Sequence, residues 1–145
     1  DAVSFADGYP ISIIGEASFN DLNKRLEDDL PTDRFRTNLI FSGCKPFEED
    51  NWTLLEIGDK VIFRGGKPSQ RCVVITIDQA TGEAGKEPTK TLNTFRKRGD
   101  GVYFGMNIIW DKEKSGEGRE IRIGDEIKVL EQAPFDFNRL VMLKK

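Results

Sequence analysis

Residues 65–78 read GGKPSQRCVVITID: a loop rich in glycine and proline, then an Arg-Cys pair, then a β-branched run. The period of two places alternate residues from Val73 to Ile77 on one face of a predicted strand. Cys72 is therefore expected where a loop meets a rigid strand. A thiol beside Arg71 suits metal binding or nucleophilic chemistry, because a neighbouring cation favours the thiolate. The same pattern also suits a buried strand cysteine that packs as a small hydrophobic group.

Length and charge limit the class of protein. The chain has 145 residues, which favours one domain with a sizeable core. Its 22 basic and 25 acidic residues give a formal net charge of -3, which argues against nucleic acid as a partner. No apolar run is long enough to cross a membrane, and we expect a cytoplasmic protein without a membrane partner. The chain begins at Asp1 and not at a methionine, so we expect a processed chain or a segment excised from a longer protein.

The lack of histidine excludes several kinds of site. Ser-His and Cys-His nucleophile pairs and histidine zinc sites all require an imidazole, and the chain has none. The two cysteines, Cys44 and Cys72, are too few for a Cys₄ zinc or iron–sulfur site and read as reduced thiols. Any metal would therefore depend mostly on ligands other than protein side chains.

Residues 34–41 alternate in the manner of a strand, with Arg34, Arg36 and Asn38 predicted to share one face. Guanidinium groups match phosphate oxygens in a bidentate way, so this face suits anion binding. An ordinary solvated sheet face fits the pattern equally well.

An acidic run at residues 47–52, FEEDNW, suggests acid–base or calcium chemistry. It lacks the alternating ligands and central glycine of a calcium loop, so a polar loop with Trp52 packed inward is the simpler interpretation. Gly105, inside a predicted strand at residues 103–110, indicates a bulge or a close backbone approach.

The element pattern favours a mainly β fold. Five or more strands accompany two predicted helices, one starting at Ser18 as its N-cap and one at residues 89–98. This pattern predicts a mainly antiparallel barrel with helices packed outside. A doubly wound α/β fold is disfavoured because the chain has no glycine-rich phosphate-binding turn.

Several segments, taken in order, resemble a MOSC domain, the molybdenum-cofactor-binding module, in its amidoxime-reducing branch. The resemblance is carried by Asp7–Pro10, Glu16–Asn23, Arg34–Asn38, Glu49–Trp52, Ile57–Asp59, Arg71–Cys72 and Phe104–Gly105. It implies an antiparallel β-barrel of MOSC type with two or three peripheral helices over residues 1–130. Residues 131–145 would be a C-terminal tail, and a further β-rich region would precede the chain.

The resemblance also implies a site. Cys72 would be the molybdenum ligand and a catalytic residue, because soft thiolates suit such a metal. The dithiolene of the molybdenum cofactor, molybdopterin, would supply other sulfur ligands. Asp50 matches an acidic position near the metal, as a second catalytic candidate. The cofactor-binding candidates are Arg36, Asn38, Gln70, Arg71 and Cys72.

The function implied is that of an oxidoreductase domain that reduces N-hydroxylated small molecules. Its electrons would come from an iron–sulfur or flavin protein, or from a fused domain of that kind, and the fragment alone would be inactive. The alternative is a carrier or delivery module for the cofactor or for sulfur, without turnover of its own. A structural barrel with a buried Cys72 is the third hypothesis. Pyridoxal phosphate binding is a further family-level expectation.

Overall fold

The computed structural model describes residues 2–3, 10–117 and 120–134. Within these ranges the strands are β1 (Ala2–Val3), β2 (Pro10–Gly15), β3 (Leu39–Phe41), β4 (Trp52–Ile57), β5 (Val61–Arg71), β6 (Lys97–Arg98), β7 (Gly101–Trp110), β8 (Ile121–Arg122) and β9 (Ile127–Gln132). The α-helices are α1 (Glu16–Arg25), α2 (Thr89–Phe95) and α3 (Lys112–Ser115). The first, second and third 3₁₀ turns are Thr32–Phe35, Glu48–Asn51 and Val73–Thr76.

The main sheet has the strand order β3-β2-β7-β5-β4-β9, with β6 paired to β7 outside that path and β1 paired to β8 in a separate small sheet. β2 and β3 are parallel because α1 lies between them and returns the chain in the same direction. The other neighbouring pairs are antiparallel. The mainly β class with peripheral helices is confirmed. The strictly antiparallel, closed barrel is wrong: across the described ranges the sheet is mixed and open, with β3 and β9 at its edges.

Two hydrophobic clusters form the core, and β7 contributes to both. The first lies between β2, β4, β5 and β7, and the second joins β7 to α1, α2 and the first and third 3₁₀ turns. Nearly every residue of β7 is buried, as expected of a central strand covered on both faces. Trp52 is buried in the first cluster, as its position after the acidic run predicts.

The chain around Cys72 differs from the prediction. Residues 65–71 belong to β5, whose pairing with β7 shifts register between Gly65 and Lys67 and again between Pro68 and Gln70. These irregularities accommodate glycine and proline within a strand. The predicted strand after Cys72 is instead the third 3₁₀ turn, in which the adjacent residues Ile75 and Thr76 are both buried. Alternating strand geometry cannot bury two adjacent side chains on one face.

The predicted strand at residues 34–41 is also wrong over its first half. Residues 32–35 form the first 3₁₀ turn, Arg36 has a left-handed backbone with φ 50°, and β3 begins only at Leu39. Arg34 is consequently buried, while Arg36 is exposed. The shared face predicted for the two arginines does not exist.

α1 begins earlier than predicted, and α2 ends earlier. α1 begins at Glu16, with Gly15 and not Ser18 at its N-cap, and ends at Arg25. α2 spans residues 89–95 and ends before Arg96, Lys97 and Arg98, the basic triplet in the last turn of the predicted helix. No helix in the described part of the chain is long and apolar enough to cross a membrane.

The predicted C-terminal tail begins inside the sheet. Glu131 and Gln132 belong to β9, and the backbone N–H of Ala133 donates to the carbonyl of Asn51 at 2.8 Å. Residues 135–145 lie outside the described residues.

Candidate functional site

Cys72 directly follows the last residue of β5 and begins the third 3₁₀ turn. Its carbonyl accepts a hydrogen bond from the backbone N–H of Ile75 at 3.3 Å, so its main chain takes part in the turn. Its side chain is a free, exposed thiol. A buried cysteine that packs as a hydrophobic group does not describe this residue, and the thiol is available for ligation or reaction.

Arg71 anchors the end of β5 beneath Cys72. Its Nε donates to the carbonyl of Phe104 at 2.7 Å, and its Nη1 donates to the carbonyl of Phe35 at 3.0 Å. Burial lowers the pKa of the guanidinium to about 10, with the Cys72 thiolate acting in the opposite direction. Its Nη2 is buried and has no hydrogen-bond partner among the described residues. The residue therefore links three elements and keeps one donor unused.

Gly105 makes room for this anchor. It has a φ of +87°, and a Cβ on it would lie 2.6 Å from Ile14 Cγ1 and 3.1 Å from Arg71 Nη2. The pairing of β7 with β5 loses its regular register at the same place, between Tyr103 and Met106. Both parts of the prediction, bulge and close approach, are confirmed.

Arg36 and Asn38 lie on either side of a change in backbone direction. The exposed Arg36 donates from Nη2 to Gln79 Oε1 at 3.3 Å, which connects it to the segment after Cys72. Asn38 Oδ1 accepts from the backbone N–H of Ser12 at 2.8 Å, so this amide is directed to β2. Gln70 is exposed on β5, immediately before Arg71 and opposite Tyr103 in register. Arg71 directly precedes Cys72, and Arg36 is connected to Gln79, so the two arginines lie at the two ends of residues 72–79.

Asp50 belongs to a buried ion pair. Its Oδ2 lies 2.7 Å from Arg96 Nη2, and Arg96 Nε donates to the carbonyl of Tyr103 at 2.9 Å. The Arg96 guanidinium also lies 4.5 Å from the centre of the Phe47 ring. Burial raises the pKa of Asp50, and Arg96 partly offsets that shift. The second oxygen, Oδ1, is buried without a partner in the described part of the chain and is able to hold a proton.

Sequence reasoning missed Glu49, which is fully buried. Its Oε2 accepts from the backbone N–H of Gly15 at 2.8 Å and from Ser18 Oγ at 2.8 Å, and Ser18 Oγ accepts from the N–H of Phe47. Burial raises the pKa of Glu49 above its ordinary value. The acidic run is therefore structural at Glu49, where it fastens the second 3₁₀ turn to the start of α1. No local signal identifies a helix cap supplied from 34 residues away.

The roles of Arg34 and Arg96 were also missed. Arg96 lies in the last turn of the helix predicted at residues 89–98, where a cation suits the negative end of the helix dipole. Arg34 was assigned to an exposed face by strand alternation. Both are instead mostly buried and face carboxylates, Asp50 and Asp78.

These residues fit an anionic cofactor with a soft metal. Cys72 offers an exposed thiol, Arg71 offers a buried unused donor, and Arg36 adds a second cation. In residues 2–3, 10–117 and 120–134 no three His, Cys, Asp or Glu side chains form a group able to hold a metal ion. The expectation of pyridoxal phosphate binding stays a prediction.

Comparison with known proteins identifies the family. The family model for the MOSC domain matches residues 1–128. The chain therefore belongs to the MOSC domain family, which confirms the resemblance that its ordered segments carry.

Relatives of the chain include two proteins of the amidoxime-reducing branch. It is 33% identical over 141 residues to mitochondrial amidoxime-reducing component 1 of Homo sapiens, covering 91% of this chain and 40% of that protein. It is 40% identical over 132 residues to mitochondrial amidoxime reducing component 2 of Bos taurus, covering 86% of this chain and 38% of that protein. It is also 33% identical over 141 residues to molybdenum cofactor sulfurase of Oryza sativa subsp. japonica, covering 86% of this chain and 17% of that protein. The chain thus spans less than half the length of these relatives.

Proposed function

We propose that this chain is the molybdenum-cofactor-binding domain of an oxidoreductase that reduces N-hydroxylated compounds, with Cys72 as the molybdenum ligand. The observation that carries the proposal is the exposed Cys72 thiol directly after the half-buried, doubly bonded Arg71. A metal ligand has to be accessible and held in place at the same time. Membership of the MOSC family supports the choice of metal.

Different residues around Cys72 would bind different groups of the cofactor. Arg71 Nη2 and Arg36 would bind its anionic groups, and the side chains of Asn38 and Gln70 would add polar contacts at the rim. When bound, the cofactor supplies dithiolene sulfur and a metal that changes oxidation state. Asp50 Oδ1 would hold a proton needed for reduction of an N–OH group, because burial favours the protonated acid.

We assign the electron supply to an iron–sulfur or flavin protein, or to a fused domain of that kind. The described residues hold two free thiols, which suit a reducing compartment, and we propose a cytoplasmic location on that basis. No contact with nucleic acid or with a membrane is part of the proposal.

A carrier or delivery module is the second candidate. The similarity to a molybdenum cofactor sulfurase favours it, since the same exposed thiol would serve to hold the cofactor or a sulfur atom for transfer. This candidate predicts cofactor or persulfide on Cys72 without reduction of an N-hydroxylated compound.

The test measures molybdenum per chain after expression of the longest native form in a cofactor-competent host. Wild type is expected to carry near-stoichiometric metal, and Cys72→Ser to lose it by at least about tenfold. Cys44→Ser is the matched control and is expected to retain the metal. Equal metal in wild type and Cys72→Ser, or none in wild type, would contradict the ligand assignment.

Turnover separates the two candidates. Loaded wild-type protein is assayed with a chemical reductant and a simple N-hydroxyamidine. Reduction that Cys72→Ser abolishes supports the oxidoreductase. Retained metal without reduction supports the carrier. If Cys72→Ser changes only thermal stability, a structural barrel is the better account.

A further inference from the structure

Arg34 is a buried cation with incomplete pairing. Only 8% of the residue is exposed, and its Nη2 lies 3.9 Å from Asp78 Oδ2. Its Nε is also buried and has no partner within the described residues. Burying a guanidinium with unused donors costs free energy, so a neutral side chain of similar size would be cheaper at this position. The charge of Arg34 is therefore expected to contribute to the structure through its contact with the Asp78 carboxylate.

Asp78 fixes the far end of the segment that follows Cys72. Its Oδ1 accepts from the backbone N–H groups of Ala80 at 2.8 Å and Thr81 at 3.3 Å. Its own N–H donates to the carbonyl of Glu83 at 2.9 Å. One carboxylate oxygen thus closes a turn, while the other faces Arg34. Asp78 is the point at which that turn connects to the buried guanidinium.

The segment between Cys72 and Asp78 is short. Ile75 is buried in the second cluster, and the carbonyl of Thr76 accepts from the backbone N–H of Gly85 at 2.9 Å. The internal backbone bonds of the segment run from Ile75 N–H to the Cys72 carbonyl at 3.3 Å and from Ile77 N–H to the Val74 carbonyl at 3.1 Å. A displacement of Asp78 would reach Cys72 through a single 3₁₀ turn. The position of the thiol therefore depends on how both ends of this segment are held.

The first 3₁₀ turn and the residue after it hold both ends. Arg71 Nη1 bonds to the Phe35 carbonyl at the start of the segment, and Arg34 faces Asp78 at its end. The exposed Arg36 adds a hydrogen bond from its Nη2 to Gln79 Oε1 at 3.3 Å. Arg34 is the buried member of its pair, with a side chain 10% exposed, whereas the Asp78 side chain is 44% exposed.

We propose that Arg34 is a positioning residue for Cys72, acting through its ion pair with Asp78. The significance of this role rests on the function proposed above for Cys72. The contacts themselves involve no cofactor, so they are testable on the chain alone.

The experiment measures backbone amide hydrogen exchange over residues 72–83 in the 145-residue chain. The variants are Arg34→Met, Asp78→Asn, the double variant and Arg34→Lys, with Arg64→Met, at a 56% exposed arginine of β5, as the control. Asp78→Asn keeps an oxygen for the Ala80 and Thr81 amides but removes the charge that faces Arg34. Each single variant is expected to speed exchange at Ile75 and Ile77 about fivefold. The double variant adds nothing further, Arg34→Lys recovers most of the loss, and Arg64→Met changes exchange less than about twofold.

Additive effects in the double variant, or exchange equal to that of wild type, would overturn the proposal. So would acceleration spread evenly over β5 and β7, which indicates general destabilisation. If Arg34→Met does not fold, the exchange rates of Asp78→Asn and Arg34→Lys are compared instead. An exchange rate in Asp78→Asn equal to that of wild type would contradict the ion pair. Molybdenum content provides the second readout, with Arg34→Met expected to hold less than half the wild-type amount. Metal retained in Cys72→Ser defeats the proposed function alone and leaves the exchange result standing.

Discussion

The two cysteines of this chain have opposite surroundings. Cys44 is partly buried against the first hydrophobic cluster, and burial together with Glu49 and Glu48 raises its thiol pKa to about 11. Cys72 is exposed at the end of β5, next to the cation of Arg71. The residue type is the same, so the difference in expected chemistry comes from the fold. The comparison teaches that a reactive thiol here requires an exposed position on a firmly held backbone.

The largest expected effect is a difference in alkylation rate between the two thiols. In the single-thiol variants Cys72→Ser and Cys44→Ser, iodoacetamide labelling near pH 8 is followed by mass spectrometry against glutathione as a reference. A thiol with a pKa of about 11 is ionised to roughly one part in a thousand at that pH. Cys44 is therefore expected to react about 100-fold more slowly than the reference, and Cys72 far faster than Cys44. Similar rates for both thiols would break the comparison.

A smaller effect is expected from loss of the anchor beneath Cys72. Arg71→Met removes the donors to the Phe104 and Phe35 carbonyls and is expected to lower the free energy of unfolding by about 2 kcal/mol. The loss is not larger because the buried guanidinium itself carries a desolvation cost. Urea denaturation measures the change.

Arg64→Met is the matched control for the anchor. Arg64 is also on β5, but its side chain is 56% exposed and its contact to Asp111 is 3.8 Å long. It is expected to cost no more than about 0.5 kcal/mol. Equal losses in the two variants would mean that Arg71 is an ordinary strand residue and that Cys72 has no special support.

What the sequence predicts correctly in this fold is mostly local. The run around Gly105 indicates a buried strand with a close approach, and both are present because glycine and its neighbours supply the signal themselves. The acidic run predicts an inward Trp52, which is buried. Features that depend on distant partners are not predicted from the sequence. The buried Glu49, for example, accepts a hydrogen bond from Gly15 at the start of α1, 34 residues earlier in the chain.

The site follows the same rule. Cys72 and Arg71 are singled out by their adjacency in the sequence, and they do lie together at the end of β5. The order of the elements around them is the reverse of the prediction: a strand precedes the pair and a 3₁₀ turn follows it, because pairing with β7 extends β5 through the glycine and proline residues. Arg34 looks like a member of an exposed face until the first 3₁₀ turn buries it. An alternating pattern in the sequence does not indicate a turn that is stabilised by contacts with residues about 40 positions away.

The smallest expected effect concerns the acidic surroundings of Cys44, through the pH dependence of stability. Burial raises the pKa of Glu49 in the folded chain, so the folded state binds its proton more tightly than the unfolded state. The unfolding free energy is therefore highest below the ordinary pKa of 4.5 and decreases as pH rises through the raised value. Glu49→Gln carries no charge at any pH and is expected to flatten this decrease by about 1 kcal/mol between pH 4 and 8.

Ser18→Ala sharpens the same test by acting in the opposite direction. The Ser18 hydroxyl donates to the Glu49 carboxylate and so favours its charged form. Its removal is expected to raise the Glu49 pKa further and to steepen the loss of stability with pH. Asp50 is present in all three proteins, and its charge also raises the pKa of Glu49. Parallel stability curves for wild type, Glu49→Gln and Ser18→Ala would show that Glu49 stays protonated or charged throughout, and its acidity would then contribute nothing to the contrast between the two thiols.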